Sequence, residues 1–134
     1  MFLVDSNGFV EILLRQQQAE ETMRFLNNAP RSDLFLTEFS LYSIGIILLR
    51  RKLHDTLVSF VNDMVIDAGI GVIRLETRDM EDVCRTTRSL GLDFDDAYQY
   101  VAAEKHGLTL VSFDSDFDKT ERGRNTPQEI LASA

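Results

Sequence analysis

The residues of this sequence with chemistry to offer are carboxylates that follow short apolar runs. Phe2-Leu3-Val4 stops at Asp5, Leu34-Phe35-Leu36 gives way to Thr37 and Glu38, and Leu108 to Ser112 leads through Phe113 to Asp114. A further group, Asp93, Asp95 and Asp96, heads a helical stretch that leads into the last of these runs. In an open α/β sheet, ligands sit beyond the carboxyl ends of the strands, so these acids from distant parts of the chain fall on one edge. An all-oxygen donor set suits a hard cation such as Mg²⁺ or Mn²⁺, which keeps several of its waters. Such an ion activates water and shields a phosphodiester during in-line attack. No His-Cys cluster accompanies the acids, which disfavours zinc.

Each acid also has a structural use. Asp5 suits a turn or cap, and Glu38 stands at a helix N-terminus, where a carboxylate complements the macrodipole. Asp93 and Asp95 serve equally as capping or supporting residues, and Asp96 lies in a first helical turn. Asp114, Asp116 and Asp118 imitate the start of a calcium loop, but Lys119 stands where that loop needs Gly and Asn125 where it needs its closing Glu. His54 and His106 lie near helix ends and are expected to be structural. Cys84, in a helical stretch with no motif around it, is expected to pack rather than react.

The elements that must position these groups alternate. Three-residue apolar strands are expected at 2–4 and 34–36, with alternating or continuous apolar strands at 69–75 and 108–112. Between them lie helices at 9–14, 20–28, 38–52, 55–66, 77–90 and 94–106, and a last helical turn begins at Thr126-Pro127, with Pro at the first helical position. Ser6 or Asn7 is expected to cap the first helix and Thr37 the third. Gly91 and Gly107 are expected to end the helices before them. Met23, Phe25 and Leu26 are expected to point inward, and the density of apolar residues from Leu41 to Leu49 predicts a largely buried helix or a dimer interface. Strands alternating with helices predict a three-layer α/β/α sandwich around a mostly parallel four- to five-stranded sheet, in a single domain over residues 1–134.

Bulk properties narrow the function. Of the 134 residues 44% are hydrophobic and 27% charged, an ordinary balance for a protein with its own core. One cysteine excludes an internal disulfide and suits a reducing, cytoplasmic setting. No signal-peptide pattern and no apolar run of about 20 residues is present, so no membrane association is expected. The net charge of −8 argues against simple electrostatic capture of nucleic acid, which needs Lys and Arg on phosphates. Local basic groups at Arg15, Arg31, Arg50, Arg51, Lys52, Lys119, Arg122 and Arg124 remain available.

Three segments together resemble the PIN-domain family, including its VapC-type toxins. Leu3-Val4-Asp5-Ser6-Asn7 resembles the family's opening strand, which ends in Asp followed by Ser or Thr. Phe94 to Ala103 resembles its third-acid helix, with Asp96 before Ala97 in the ligand position. His106 to Phe117 resembles its closing Gly, strand, Ser/Thr-x-Asp-x-Asp-Phe motif, with the fourth acid at Asp114 and Asp116 nearby. The resemblance runs over nearly the whole chain. It implies a metal-dependent endoribonuclease with Asp5, Asp96 and Asp114 as ligands, and Glu38 as a ligand or water-orienting base. Ser6, Asn7 and Ser112 would support these acids through hydrogen bonds. It also implies an RNA substrate, an antitoxin protein as a possible partner, and a homodimer. The chain departs from the family at the second acid. That slot, counted from Thr37, falls near Ser43, which is no carboxylate, leaving Glu38 as the only acid on this helix, with Asp93, Asp95 and Asp116 in reserve. The alternative is therefore a catalytically weak or inactive PIN-like module for dimerisation or binding. A haloacid-dehalogenase-type phosphatase is disfavoured, because Asn7 stands where its second Asp is required.

Overall fold

The computed structural model describes residues 1–133. Its sheet has four strands, β1 (Phe2–Val4), β2 (Leu34–Thr37), β3 (Gly71–Ile73) and β4 (Thr109–Val111), in the order β3-β2-β1-β4. All three neighbouring pairs are parallel, with Leu3 level with Phe35 and Leu110, and Leu36 level with Val72. A single parallel bridge from Val111 to Asn125 adds the rudiment of a fifth strand outside β4.

Alternation along these strands divides the core in two. Leu3 and Leu110 face one side with α5 (Met80–Leu90) and α6 (Phe94–His106), where Val83, Ala97, Tyr98 and Val101 meet them. Val4, Leu34, Leu36 and Val111 face the other side. There they meet α1 (Ser6–Leu13), α2 (Ala19–Asn28), α3 (Glu38–Arg50) and α4 (His54–Phe60) through Phe9, Phe25, Leu26, Ile44, Leu48 and Phe60. The last helix, α7 (Pro127–Ser133), adds Ile130 and Leu131 to this second face. A sheet buried on both faces explains the continuous apolar strands, and the three layers are those the sequence predicts.

The connections decide where a site forms. The chain steps outward from β1 to β2 to β3, then returns through α5 and α6 to place β4 on the other side of β1. The order therefore reverses between β1 and β4, and the crevice beyond their carboxyl ends is the expected binding place. Asp5 and Asp114 follow those two ends.

Several local expectations are corrected. The cap of α1 is Asp5, whose side chain accepts from Ser6 N, rather than Ser6 or Asn7. The helix from His54 widens at Val61–Asp67 into a π-helical turn, where Ala68 N donates to Asp63 O at 3.0 Å. Before α5, Glu76 and Asp79 form the capping box, so Thr77 opens only a short 3₁₀ turn. Met23 is exposed, and so is Cys84, because each lies on the solvent side of its helix. The helix α3 buries only the stripe Ser40, Ile44 and Leu48, while Tyr42 and Ile46 stay 60% and 53% exposed. A helix lying on a sheet covers only one stripe, whatever the composition of the others. Thr37 caps α3 as expected, accepting from Ser40 N at 2.9 Å. Gly91 and Gly107 end α5 and α6 with φ of 65° and 63°. Among the described residues no helix is long and apolar enough to cross a membrane.

Candidate metal centre

The site begins with Asp5, the residue after β1. Its Oδ1 accepts from Ser6 N at 2.7 Å, the bond that starts α1. Its Oδ2 accepts from Ser112 Oγ at 2.8 Å and, more weakly, from Asn7 Nδ2 at 3.4 Å. Ser112 Oγ accepts in turn from Asn7 Nδ2 at 3.2 Å and from Asp114 N at 3.0 Å. Asn7 Oδ1 accepts from Phe113 N at 3.3 Å. Asn7 and Ser112 thus tie the ends of β1 and β4 together, and Ser6 N and Ser112 Oγ orient Asp5. Asp5 is 6% exposed, and burial, reinforced by the charges of Asp114 and Asp95, holds its carboxyl above the usual range against the lowering effect of Ser112 and Ser6.

Asp114 caps the 3₁₀ turn Ser115–Lys119 by accepting from Asp116 N through Oδ1 at 2.9 Å. Asp96 comes from the first turn of α6 and is 8% exposed. Carboxylate oxygens of Asp96, Asp114 and Asp116 lie within 4.8 Å of one another, and so do those of Asp93, Asp95 and Asp96. Burial first, then the negative charges of Asp114, Asp95 and Asp5, push the Asp96 carboxyl up to about 8. Like charges crowded in a poorly solvated crevice hold a proton unless a cation replaces it. Asp93 stands at the N-cap of α6 without using its side chain as a cap, and both Asp93 and Asp95 are exposed.

The structure does not bring every candidate together. Asp5 and Glu38 belong to neither carboxylate group, Glu38 lying half-buried in the first turn of α3. Ser43 is also half-buried on α3. The polar position of α3 that meets α6 is Ser40, buried beneath Gln99, whose Nε2 donates to Ser40 Oγ at 2.5 Å and to Thr37 Oγ1 at 3.0 Å. Sequence reasoning missed Ser40 and Gln99. The only signals are that Ser40 lies three residues past the cap Thr37 and Gln99 three residues past Asp96. Among cations, Arg124 donates to Ser112 O at 3.1 Å and grips Asp118 through Nε and Nη2 at 3.0 and 3.1 Å. That grip lowers the Asp118 carboxyl and raises the Arg124 guanidinium. Arg50, Arg51 and Lys52 lie at the far end of the 13-residue α3, a rise of about 18 Å from its N-terminus, away from the acids.

The donor set fits a hard divalent ion. It offers only oxygens, with one carboxylate locked by hydrogen bonds and others crowded by mutual repulsion. Fold and site together define an α/β protein with an acidic edge at its topological switch point.

The chain belongs to the PIN-domain family: the family's model matches residues 2–123. PIN domains are generally nucleases and typically use divalent metals. No curated protein sequence matches the chain. Among solved structures it is similar to a toxin-antitoxin complex from Klebsiella pneumoniae, with a TM-score of 0.74 at 17% identity over 95% of this chain and 98% of that one. It is also similar to a sarcin-ricin loop cleaving toxin of Mycobacterium tuberculosis, with a TM-score of 0.75 at 16% identity over 90% of this chain and 95% of that one. A third likeness is to FitAcB from Neisseria gonorrhoeae, with a TM-score of 0.72 at 20% identity over 96% and 99% of the two chains. At these identities the likenesses establish the fold.

Proposed function

We propose that this protein is a divalent-metal-dependent endoribonuclease that acts as a single domain over residues 1–134. The observation that carries the reading is the meeting of Asp96 with Asp114 and Asp116 at the end of β4, where the negative charges of Asp5, Asp96 and Asp114 act on one another. Asp5, Asp96 and Asp114 hold Mg²⁺ or Mn²⁺, and Asp116 is within reach of the same ion. The ion supplies a water of lowered pKa and charge stabilisation at phosphorus. Ser112 Oγ and Ser6 N aim Asp5 and partly offset the burial that raises its carboxyl, Asn7 bridges the two strand ends, and Asp95 adds negative charge. Glu38 remains the one carboxylate on α3, and its proposed role is to orient a water or a substrate hydroxyl.

The partners proposed with this activity are an RNA substrate, an antitoxin protein and a second copy of the chain, in the cytoplasm. The exposed Tyr42, Ile46 and Leu49 of α3 support the second copy; sedimentation showing only monomer at micromolar concentration would remove it. The test of the activity is cleavage of a single-stranded RNA with Mn²⁺, controlled by EDTA and by Asp5→Asn. Cleavage that is lost in both controls is the expected result; cleavage that survives either is not this site's. One observation favours the alternative, a PIN-like binding module with little catalysis: the buried polar position of α3 is the neutral Ser40. Metal binding without cleavage of any RNA would select it.

A further inference from the structure

Three buried polar residues have no task in the reading above. Thr37, Ser40 and Gln99 are sealed from solvent, Gln99 at 3% exposure. Both protons of the Gln99 amide have acceptors, the hydroxyls of Thr37 and Ser40. Its Oε1 is buried and has no partner, the one such side-chain atom among the described residues. Turning the amide over would only transfer the deficit to Nε2. Buried polar atoms in folded proteins are nearly always satisfied, so an orphan calls for a donor such as a water or an ion.

The orphan belongs to the acidic crevice by topology. Gln99 follows Asp96 by three residues on α6, so their side chains share a helix face. Thr37 ends β2, and the pairing of Phe2 with Leu34 and Leu3 with Phe35 carries on to set Thr37 level with Asp5. Asp5 is therefore flanked by Ser112 and Asp114 on the β4 side, and by Thr37 with its bonded Gln99 on the β2 side. The first flank carries a carboxylate, Asp114, whereas the buried side chains of the second, Thr37, Ser40 and Gln99, are neutral, and Glu38 beyond Thr37 is half-buried and outside both carboxylate groups. A hard divalent ion is held by carboxylates, and hydroxyls and an amide oxygen alone do not hold a second one. An amide oxygen does accept well from an acidic donor, and a metal-bound water is such a donor.

We propose that the site holds one divalent ion, on the Asp114 side of Asp5, and that Gln99 is a positioning residue whose Oε1 accepts from a water bound to that ion. This rests on the metal-dependent reading above. Thr37 and Ser40 are then the clamp that presents the oxygen, and the neutral flank takes the place of a fourth carboxylate.

Titration with Mn²⁺, followed by calorimetry and by the paramagnetic resonance of free Mn²⁺, tests this on wild type, Gln99→Leu, Gln99→Glu and Asp96→Asn. Wild type is expected to take one equivalent. Gln99→Leu, with folding checked by circular dichroism, is expected to bind about tenfold or more weakly, the usual cost of losing an outer partner. Gln99→Glu places a carboxylate on the neutral flank and is expected to bind more tightly than wild type, with a larger metal-induced rise in Tm. Two equivalents of comparable affinity in wild type overturn the proposal. So does wild-type affinity in either Gln99 variant while Asp96→Asn has lost binding. Should Asp96→Asn itself bind as wild type does, the metal reading falls with it.

Discussion

Asp96 is the residue on which the site's electrostatics turn. Its carboxyl is pushed up to about 8 by burial and by Asp114, Asp95 and Asp5, whereas in the unfolded chain it ionises near the ordinary 3.8. Between those limits the unfolded chain has released the proton and the folded, metal-free protein still holds it. Stability then falls as pH rises, since the folded state binds more protons. The raised carboxyl of Asp5 acts in the same direction. Asp79, lowered by Lys105 and by Glu76 N, and Asp118, lowered by Arg124, act oppositely, and their contribution is lost only as pH drops below about 4. In EDTA, Tm is therefore expected to peak near pH 4 to 5 and decline toward pH 8. Asp96→Asn is expected to flatten that decline and to be more stable than wild type at pH 8. A flat wild-type profile would show that Asp96 ionises normally. Metal displaces the proton, so Mn²⁺ affinity is expected to tighten about tenfold per pH unit below 8 when one proton leaves.

At the scale of elements, the crossovers put Asp5 and Asp114 side by side, and a few close contacts keep the sheet in register. Phe35 lies directly across from Gly71, and a Cβ there would stand 2.5 Å from Phe35 Cδ1. Gly71→Ala is expected to destabilise by about 1 to 3 kcal/mol, since the strand or the ring must shift. Urea unfolding measures this, and Mn²⁺ affinity should not change, because β3 is the strand farthest from the β1/β4 crevice. Thr37→Val removes the cap of α3 and one anchor of Gln99. It is expected to cost about 1 to 2 kcal/mol and, unlike Gly71→Ala, to weaken metal binding as well. Equal metal affinity in the two variants would separate the cap from the site. These elements were largely legible in the sequence. Short apolar runs ending in acids give the strands, and Gly91 and Gly107 give the ends of α5 and α6. The acids Asp5, Asp96 and Asp114 stand out because a charge after an apolar run breaks a pattern. Ser40 and Gln99 break none, since a buried neutral polar side chain carries no periodicity, and its partner lies about sixty positions away. The widening at Val61 was hidden for a related reason. A π turn changes the hydrogen-bond ladder by one residue while leaving the apolar pattern helical.

For the proposed activity, the whole molecule would have to bring a polyanion to an edge that is itself anionic. The chain carries 22 acidic and 14 basic side chains for a net charge of −8. Its densest basic run, Arg50 to Lys52, sits at the far end of α3. Arg124, beside the end of β4, is already held by Asp118 and the Ser112 carbonyl. Few guanidinium or ammonium groups are therefore placed to displace counterions from RNA near the crevice. Affinity in a lone chain must come mainly through the ion. For single strands the logarithm of affinity falls with that of salt at a slope of about −0.7 per phosphate contact. Two contacts then imply about a sevenfold loss of affinity from 50 to 200 mM salt, and six imply several hundredfold. With a cleavage-resistant single-stranded RNA, the shallow dependence is expected, together with loss of binding in EDTA. A steep dependence that persists in EDTA would mean that a basic face, not the metal edge, captures the RNA. A steep dependence that appears only after a second protein is added would assign that basic face to the partner, which an acidic chain of this kind is suited to hold.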